Sequence, residues 1–120
     1  MVLIDSSVWI DHFKRSNPDL SHLLENQQVC MHPFVIGELA CGGFKNRKEI
    51  LSLLHALPNC SCVDNDEVLF FIEQHQLMGR GIGLIDLHLL ASCIIEGHRL
   101  WSSDRRLKAV AALLRIGYKS

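Results

Sequence analysis

The sequence predicts an α/β domain built on a parallel sheet, and three observations carry that prediction. Short, mostly apolar runs at Met1–Ile4, Val29–Met31 and Arg99–Trp101 have the length and composition of core strands. Between them lie stretches whose apolar residues recur every three to four positions, the spacing of a helix with one buried stripe. Strands that alternate with helices pack as a parallel sheet, because a parallel neighbour is reached only through a crossover connection.

Each element has a local reason. The first strand is closed by Asp5. Ser6 and Ser7 then offer hydroxyls that suit the cap of a short helix carrying Val8, Trp9, Ile10 and Phe13. Asn17-Pro18-Asp19 opens a second helix through Leu20, Leu23 and Leu24. The strand Val29–Met31 follows, and Pro33, which suits a first helical turn, starts a helix that runs to Cys41 and stops at Gly42-Gly43. Asn46 caps the next helix, which bears Ile50, Leu51, Leu53, Leu54 and Leu57 and is stopped by Pro58. A short edge strand is expected at Cys60–Val63. Asn65 or Asp66 then opens a helix with Val68, Leu69, Phe71, Ile72 and Leu77. Gly79, Gly81 and Gly83 mark a loop. Asp86 to Glu96 reads as an apolar helix closed by Gly97, and Asp104 to Leu114 as a basic amphipathic helix ending near Gly117. Ile116 to Tyr118 is expected to add a last strand.

Composition bounds the rest. A chain of 120 residues fits one domain over 1–120, large enough to build a core without disulfides or a structural metal. Apolar residues make up 48% and the net charge is −1, so the chain carries no global basic signal for nucleic acid. Mean hydropathy is positive at +0.17, which leaves apolar surface for a homodimer or a permanent partner. The five cysteines sit in apolar segments as an odd set with a C-x-C pair, and read as reduced, mostly buried thiols of a cytoplasmic protein. No signal peptide and no membrane span are expected.

Four acids stand next to apolar segments: Asp5, Glu38, Asp86 and Asp104. In a parallel sheet the functional crevice lies at the carboxyl ends of the strands, and Asp5 and Asp104 each come just after one. Asp86 follows the glycine loop and reaches the same edge. Glu38 shares helical spacing with Phe34, Val35 and Cys41 and is expected to face the interior. Taken singly, Asp104 and Asp86 can be helix caps, Asp5 a turn residue, and Glu38 the partner of an arginine such as Arg80 or Arg105. Taken together, their convergence would create repulsion that a hard divalent cation relieves. Mg²⁺ fits such oxygen donors, and Mn²⁺ fits them as well.

The segments Leu3-Ile4-Asp5-Ser6-Ser7-Val8-Trp9-Ile10-Asp11-His12, Ile36-Gly37-Glu38-Leu39, Gly81-Ile82-Gly83-Leu84-Ile85-Asp86-Leu87-His88-Leu89-Leu90-Ala91 and Leu100-Trp101-Ser102-Ser103-Asp104-Arg105-Arg106-Leu107 together resemble a PIN-domain endoribonuclease of the VapC toxin type. The resemblance implies a three-layer α/β/α sandwich with a central parallel sheet. It implies an acidic Mg²⁺ or Mn²⁺ site, cleavage of RNA, and inhibition by a cognate antitoxin protein. It carries over Asp5, Glu38, Asp86 and Asp104 as the catalytic quartet. Asp5, Asp86 and Asp104 would hold the metal, and Glu38 would orient or deprotonate the attacking water or join the metal shell. Ser6 matches the small hydroxyl residue after the first aspartate, and Ser102 stands where threonine is more frequent; both would hydrogen-bond a carboxylate or a water around the metal. Leu84 replaces a frequent tryptophan and Leu87 a frequent alanine, changes that touch packing. Arg105 and Arg106 follow directly on an acid of the quartet and are the expected RNA phosphate contacts. Trp9, Ile10 and Phe13 crowd one short helix, and the part of them that the core does not use would line a groove for the antitoxin.

Other classes fit less well. A phospho-acceptor receiver domain needs adjacent acids after its first strand and a late lysine, where this chain has Ser6-Ser7 and Ser102-Ser103. A haloacid-dehalogenase-like phosphatase needs an acid at Ser7. The seven histidines show no paired zinc-ligand spacing, and His88, two residues past Asp86, points off that side chain's face. The alternative that survives is a catalytically silent RNA- or protein-binding module on the same fold.

Overall fold

The computed structural model describes residues 1–119. Ten elements follow in order: β1 (Val2–Ile4), α1 (Ser6–Lys14), α2 (Pro18–Glu25), β2 (Val29–Cys30), α3 (Pro33–Ala40), α4 (Arg47–His55), α5 (Asn65–His75), α6 (Leu84–Glu96), β3 (Arg99–Trp101) and α7 (Arg105–Leu113). The three strands form one parallel sheet in the order β2-β1-β3. Register is fixed by Val2 opposite Val29 and Arg99, and Leu3 opposite Cys30 and Leu100. All three residues of β1 are buried, so the central strand is covered on both faces, as an α/β/α sandwich requires.

The two expected outer strands are reduced to single parallel bridges, Met31 with Asn59 and Leu100 with Gly117. At the first, Met31 N donates to Pro58 O at 2.7 Å and Cys60 N to Met31 O at 2.8 Å, and the C-x-C segment then turns away to start α5 at the Asp64 cap. At the other edge Tyr118 N donates to Leu100 O at 2.9 Å, and pairing stops there.

Several helix starts differ from expectation by a residue or two, each for a visible reason. Asp5, not a serine, caps α1, because its carboxylate accepts from Ser7 N. Asp64 caps α5 with a reciprocal bond to Glu67, a full capping box. Asn46 does precede α4, but its backbone is left-handed and its side chain makes no capping bond. α6 begins at Leu84 behind Gly83, which puts Asp86 third in the helix. α6 is the hub of the core: Leu87 through Cys93 are all buried. Cys30, Cys60 and Cys93 are buried free thiols, whereas Cys41 and Cys62 are exposed. Among the described residues no helix is long and apolar enough to cross a membrane.

Candidate active site

The strand order decides where a site forms. The chain leaves β1 toward β2 on one side and returns as β3 on the other, so the carboxyl ends of β1 and β3 border the crevice where the connections diverge. Asp5 is the first residue past β1 and Ser102 the first past β3. Asp5 N donates to Trp101 O at 3.0 Å, which sets the two strand ends level.

Asp5 is 5% exposed and is held from two sides. Its Oδ1 accepts from Ser7 N at 3.1 Å and from the Ser7 hydroxyl. Its Oδ2 accepts from Ser102 Oγ at 2.6 Å. Ser102 Oγ in turn accepts from Asp104 N at 2.9 Å, and Ser7 Oγ from Ser103 N at 3.1 Å. Two hydroxyls therefore tie the end of β1 to the end of β3. Bonds to an ionised acceptor are the strong kind, and they let a buried carboxylate stand without a cationic side chain.

Asp104 is the N-cap of α7, its Oδ1 accepting from Arg106 N and Leu107 N, both at 3.0 Å. Capping uses one oxygen and leaves the second for another partner. Asp86 is half-buried. Burial pushes its carboxyl above the usual carboxylate range, a backbone hydrogen bond at Gly83 works against that rise, and the negative charges of Asp5, Asp104 and Glu38 add to it. The structure thus brings the four acids, from four separated segments, into one electrostatic neighbourhood.

Glu38 corrects one expectation. It is exposed rather than turned inward, because the buried stripe of α3 is Val35 and Leu39, and Phe34 and Cys41 are exposed as well. It stands on the rim of the cleft, where its Oε1 accepts from Ser6 Oγ at 3.2 Å. It pairs with neither Arg80 nor Arg105; the salt bridge among the described residues is His98 to Glu96. The quartet is also not a tight cage. Among the described residues, the group of three His, Cys, Asp or Glu side chains with ligand atoms all within 4.8 Å of one another is Cys30, Cys60 and His98.

Arg105 and Arg106 are exposed on α7 and, with Arg80, line a shallow cleft of about 380 Å³ beside Asp104. A second groove of about 330 Å³ runs along Ile10, Phe13, Leu39 and Phe44, with Glu38 in its wall. Trp9 belongs to the core, its Nε1 donating to Ile4 O at 3.1 Å, whereas Ile10 is 41% exposed. His88 is buried edge-on against Phe34, ring centroids 5.0 Å apart. The sequence reading missed Ser7 as a partner of Asp5. The signal was present: a hydroxyl two residues after an aspartate cap is placed to return a bond to it. It also missed Arg80 as a member of the basic cleft, which only the fold of the glycine loop reveals.

A PIN domain family model matches residues 2–113. Two curated relatives named Ribonuclease VapC32, from Mycobacterium tuberculosis strains CDC 1551 / Oshkosh and ATCC 25618 / H37Rv, are each 43% identical over 113 residues, covering 93% of this chain and 91% of theirs. A solved structure, PAE2754 from Pyrobaculum aerophilum, aligns with a TM-score of 0.59 at 16% identity over 96% of this chain and 88% of that one, a likeness of fold alone.

Proposed function

The chain belongs to the PIN-domain family, and on that premise we propose that it is a VapC-type toxin: a divalent-metal-dependent endoribonuclease that hydrolyses RNA phosphodiester bonds in the cytoplasm and is held in check by a cognate antitoxin. The observation that carries the reading is the hydroxyl network of Ser7 and Ser102 that ties Asp5 to the segment of Asp104, with Asp86 close enough that the charges of Asp5, Asp104 and Glu38 add to the rise that burial gives its carboxyl. Four acids that repel one another in one cleft favour a cation. Carboxylate oxygens suit Mg²⁺, which keeps several of its waters and takes only a few carboxylates directly; Mn²⁺ accepts the same oxygen donors.

Asp5, Asp86 and Asp104 would hold the ion. Bound there, it would offset charge on the phosphoryl group and favour an ionised water. Ser102 and Ser7 fix the Asp5 carboxylate. Glu38, exposed on the rim and oriented by Ser6, would align the water or take its proton. Arg105 and Arg106, with Arg80, would bind flanking phosphates. Water attack in this arrangement leaves a 5′-phosphate and a 3′-hydroxyl.

The groove along Ile10, Phe13 and Phe44 suits the apolar side of an antitoxin segment. A larger cleft of about 640 Å³ between α5 and α6 exposes Phe70, Ile94 and Ile95 and supports a homodimer. The test is incubation of the purified protein with RNA and Mg²⁺, beside Asp5→Asn and a chelator control. Discrete cuts ending in 5′-phosphate should vanish in both controls. Equal cutting by Asp5→Asn would remove the quartet from the chemistry, and no cutting by the wild type would leave the silent binding module.

A further inference from the structure

Two thiols and an imidazole converge outside the acidic cleft, from three separate segments. Cys30 ends β2, Cys60 follows the bridge between Met31 and Asn59, and His98 joins α6 to β3. Cys30 is 1% exposed, Cys60 is 5% exposed, and their Sγ atoms are 3.0 Å apart. The ligand atoms of all three residues lie within 4.8 Å of one another. His98 Nδ1 is buried and has no hydrogen-bond partner. Its other nitrogen, Nε2, faces Glu96 Oε1 at 3.6 Å, and Ser61 N donates to that same oxygen at 2.5 Å.

We propose that Cys30, Cys60 and His98 form a binding site for a thiophilic divalent cation of the Zn²⁺ class, separate from the hard-ion acidic cleft. Two thiolates and one imidazole are the donors such an ion prefers over oxygen. Glu96 stands behind the imidazole at ion-pair distance, as a carboxylate often does behind a metal-binding histidine; its charge favours a proton on Nε2 and leaves the buried, unpartnered Nδ1 free to bind an ion. At a Zn–S distance of about 2.3 Å a tetrahedral ion sets two sulfurs roughly 3.8 Å apart, so the pair opens by less than about 1 Å to admit it. A direct bond between the thiols would require closing to about 2.05 Å and would still leave His98 Nδ1 without a partner. The ion satisfies all three groups at once. Water or Cys93 completes the shell; the Cys93 thiol is buried on α6, near enough to Cys30 to interact with its charge. The bound ion would fasten the end of β2 to the segment after α4 and to the turn before β3, adding to the backbone bonds of Met31 with Pro58 and Cys60 and to the bond from Ser61 N to Glu96.

The site does not depend on the nuclease reading. Metal-stripped, reduced, full-length protein is titrated with Co²⁺ alone under anaerobic conditions, then with Zn²⁺. One equivalent of a thiolate-to-cobalt charge-transfer band is expected, bleached by Zn²⁺ and unchanged by excess Mg²⁺ or by Asp5→Asn. Cys30→Ser and Cys60→Ser should abolish it. Because those thiols are buried, two variants nearer the surface guard against misfolding: Glu96→Gln should weaken Co²⁺ affinity roughly 10- to 100-fold, and His98→Ala at least as much. A wild type with no such band, a band lost in Asp5→Asn, or an affinity unchanged by His98→Ala would each overturn the site.

Discussion

Replacing Ser102 by alanine removes one hydroxyl that is 4% exposed and serves two partners at once. Its bond to Asp5 Oδ2 at 2.6 Å goes to an ionised acceptor, and such bonds contribute about 1.5–3 kcal/mol. The bond it accepts from Asp104 N at 2.9 Å contributes about 1 kcal/mol. The expected loss is therefore about 2–4 kcal/mol, a fall in Tm on the order of 10 °C for a chain of this size. Urea unfolding of the wild type, Ser102→Ala and Ser102→Thr measures it. Threonine keeps the hydroxyl, so it should recover most of the stability and of the RNA-cleavage rate, while alanine loses both. A double-mutant cycle with Asp5→Ala should show coupling of at least about 1 kcal/mol, since the two side chains touch. An alanine cost below about 0.5 kcal/mol, or a threonine variant as unstable as alanine, would refute the claim that this hydroxyl holds the site together.

Three more outcomes follow from particular residues. His32 is fully buried, caps α3 through Nδ1, and has its pKa lowered to about 4 by burial and by nearby His88. Its unfolded form binds a proton that its folded form refuses, so this stability is complete above about pH 6.5 and is lost as pH falls toward 4, about 3 kcal/mol in all. The gap between wild type and His32→Asn, which keeps a capping acceptor, should shrink over that window in urea melts; a constant gap would contradict it. Asp86 titrates with the opposite sign, since a raised carboxyl favours the fold as pH falls, and it is common to both proteins. Gly81 sits at φ +76, and a Cβ there would come within 2.9 Å of Arg106, so Gly81→Ala should cost about 1–2 kcal/mol, read by thermal melts, and displace that arginine. In an Asp5→Asn background, Arg105→Ala and Arg106→Ala should each flatten the salt dependence of RNA binding by about 0.7 in slope; an unchanged slope would take that arginine off the phosphates.

Much of this could be read from residues alone because the chain signals it locally. Asn17 before Pro18, and Gly97 after an apolar helix, mark their boundaries wherever the chain goes. The acids after two strands follow from where parallel strands end. What could not be read depended on distant neighbours. The inward face of α3 is decided by what packs on Val35 and Leu39, and helical spacing alone wrongly included Glu38. The outer strands stop at one bridge each because pairing needs a partner edge, and the segment after Cys60 leaves the sheet for the Asp64 cap. The cysteine and histidine group was invisible to spacing motifs because its members lie 30 and 38 positions apart, and only the bridge at Met31 brings the first two together.

Glu38 forms one wall of the groove that Ile10, Phe13 and Phe44 line, and it also borders the acidic cleft. A molecule seated in the trough would lie directly beside the acidic cleft, where the proposed cleavage would take place. Blockade then requires no relay through the fold and no second conformation. Occupant and substrate would then compete head to head, and silencing would weaken as substrate rises.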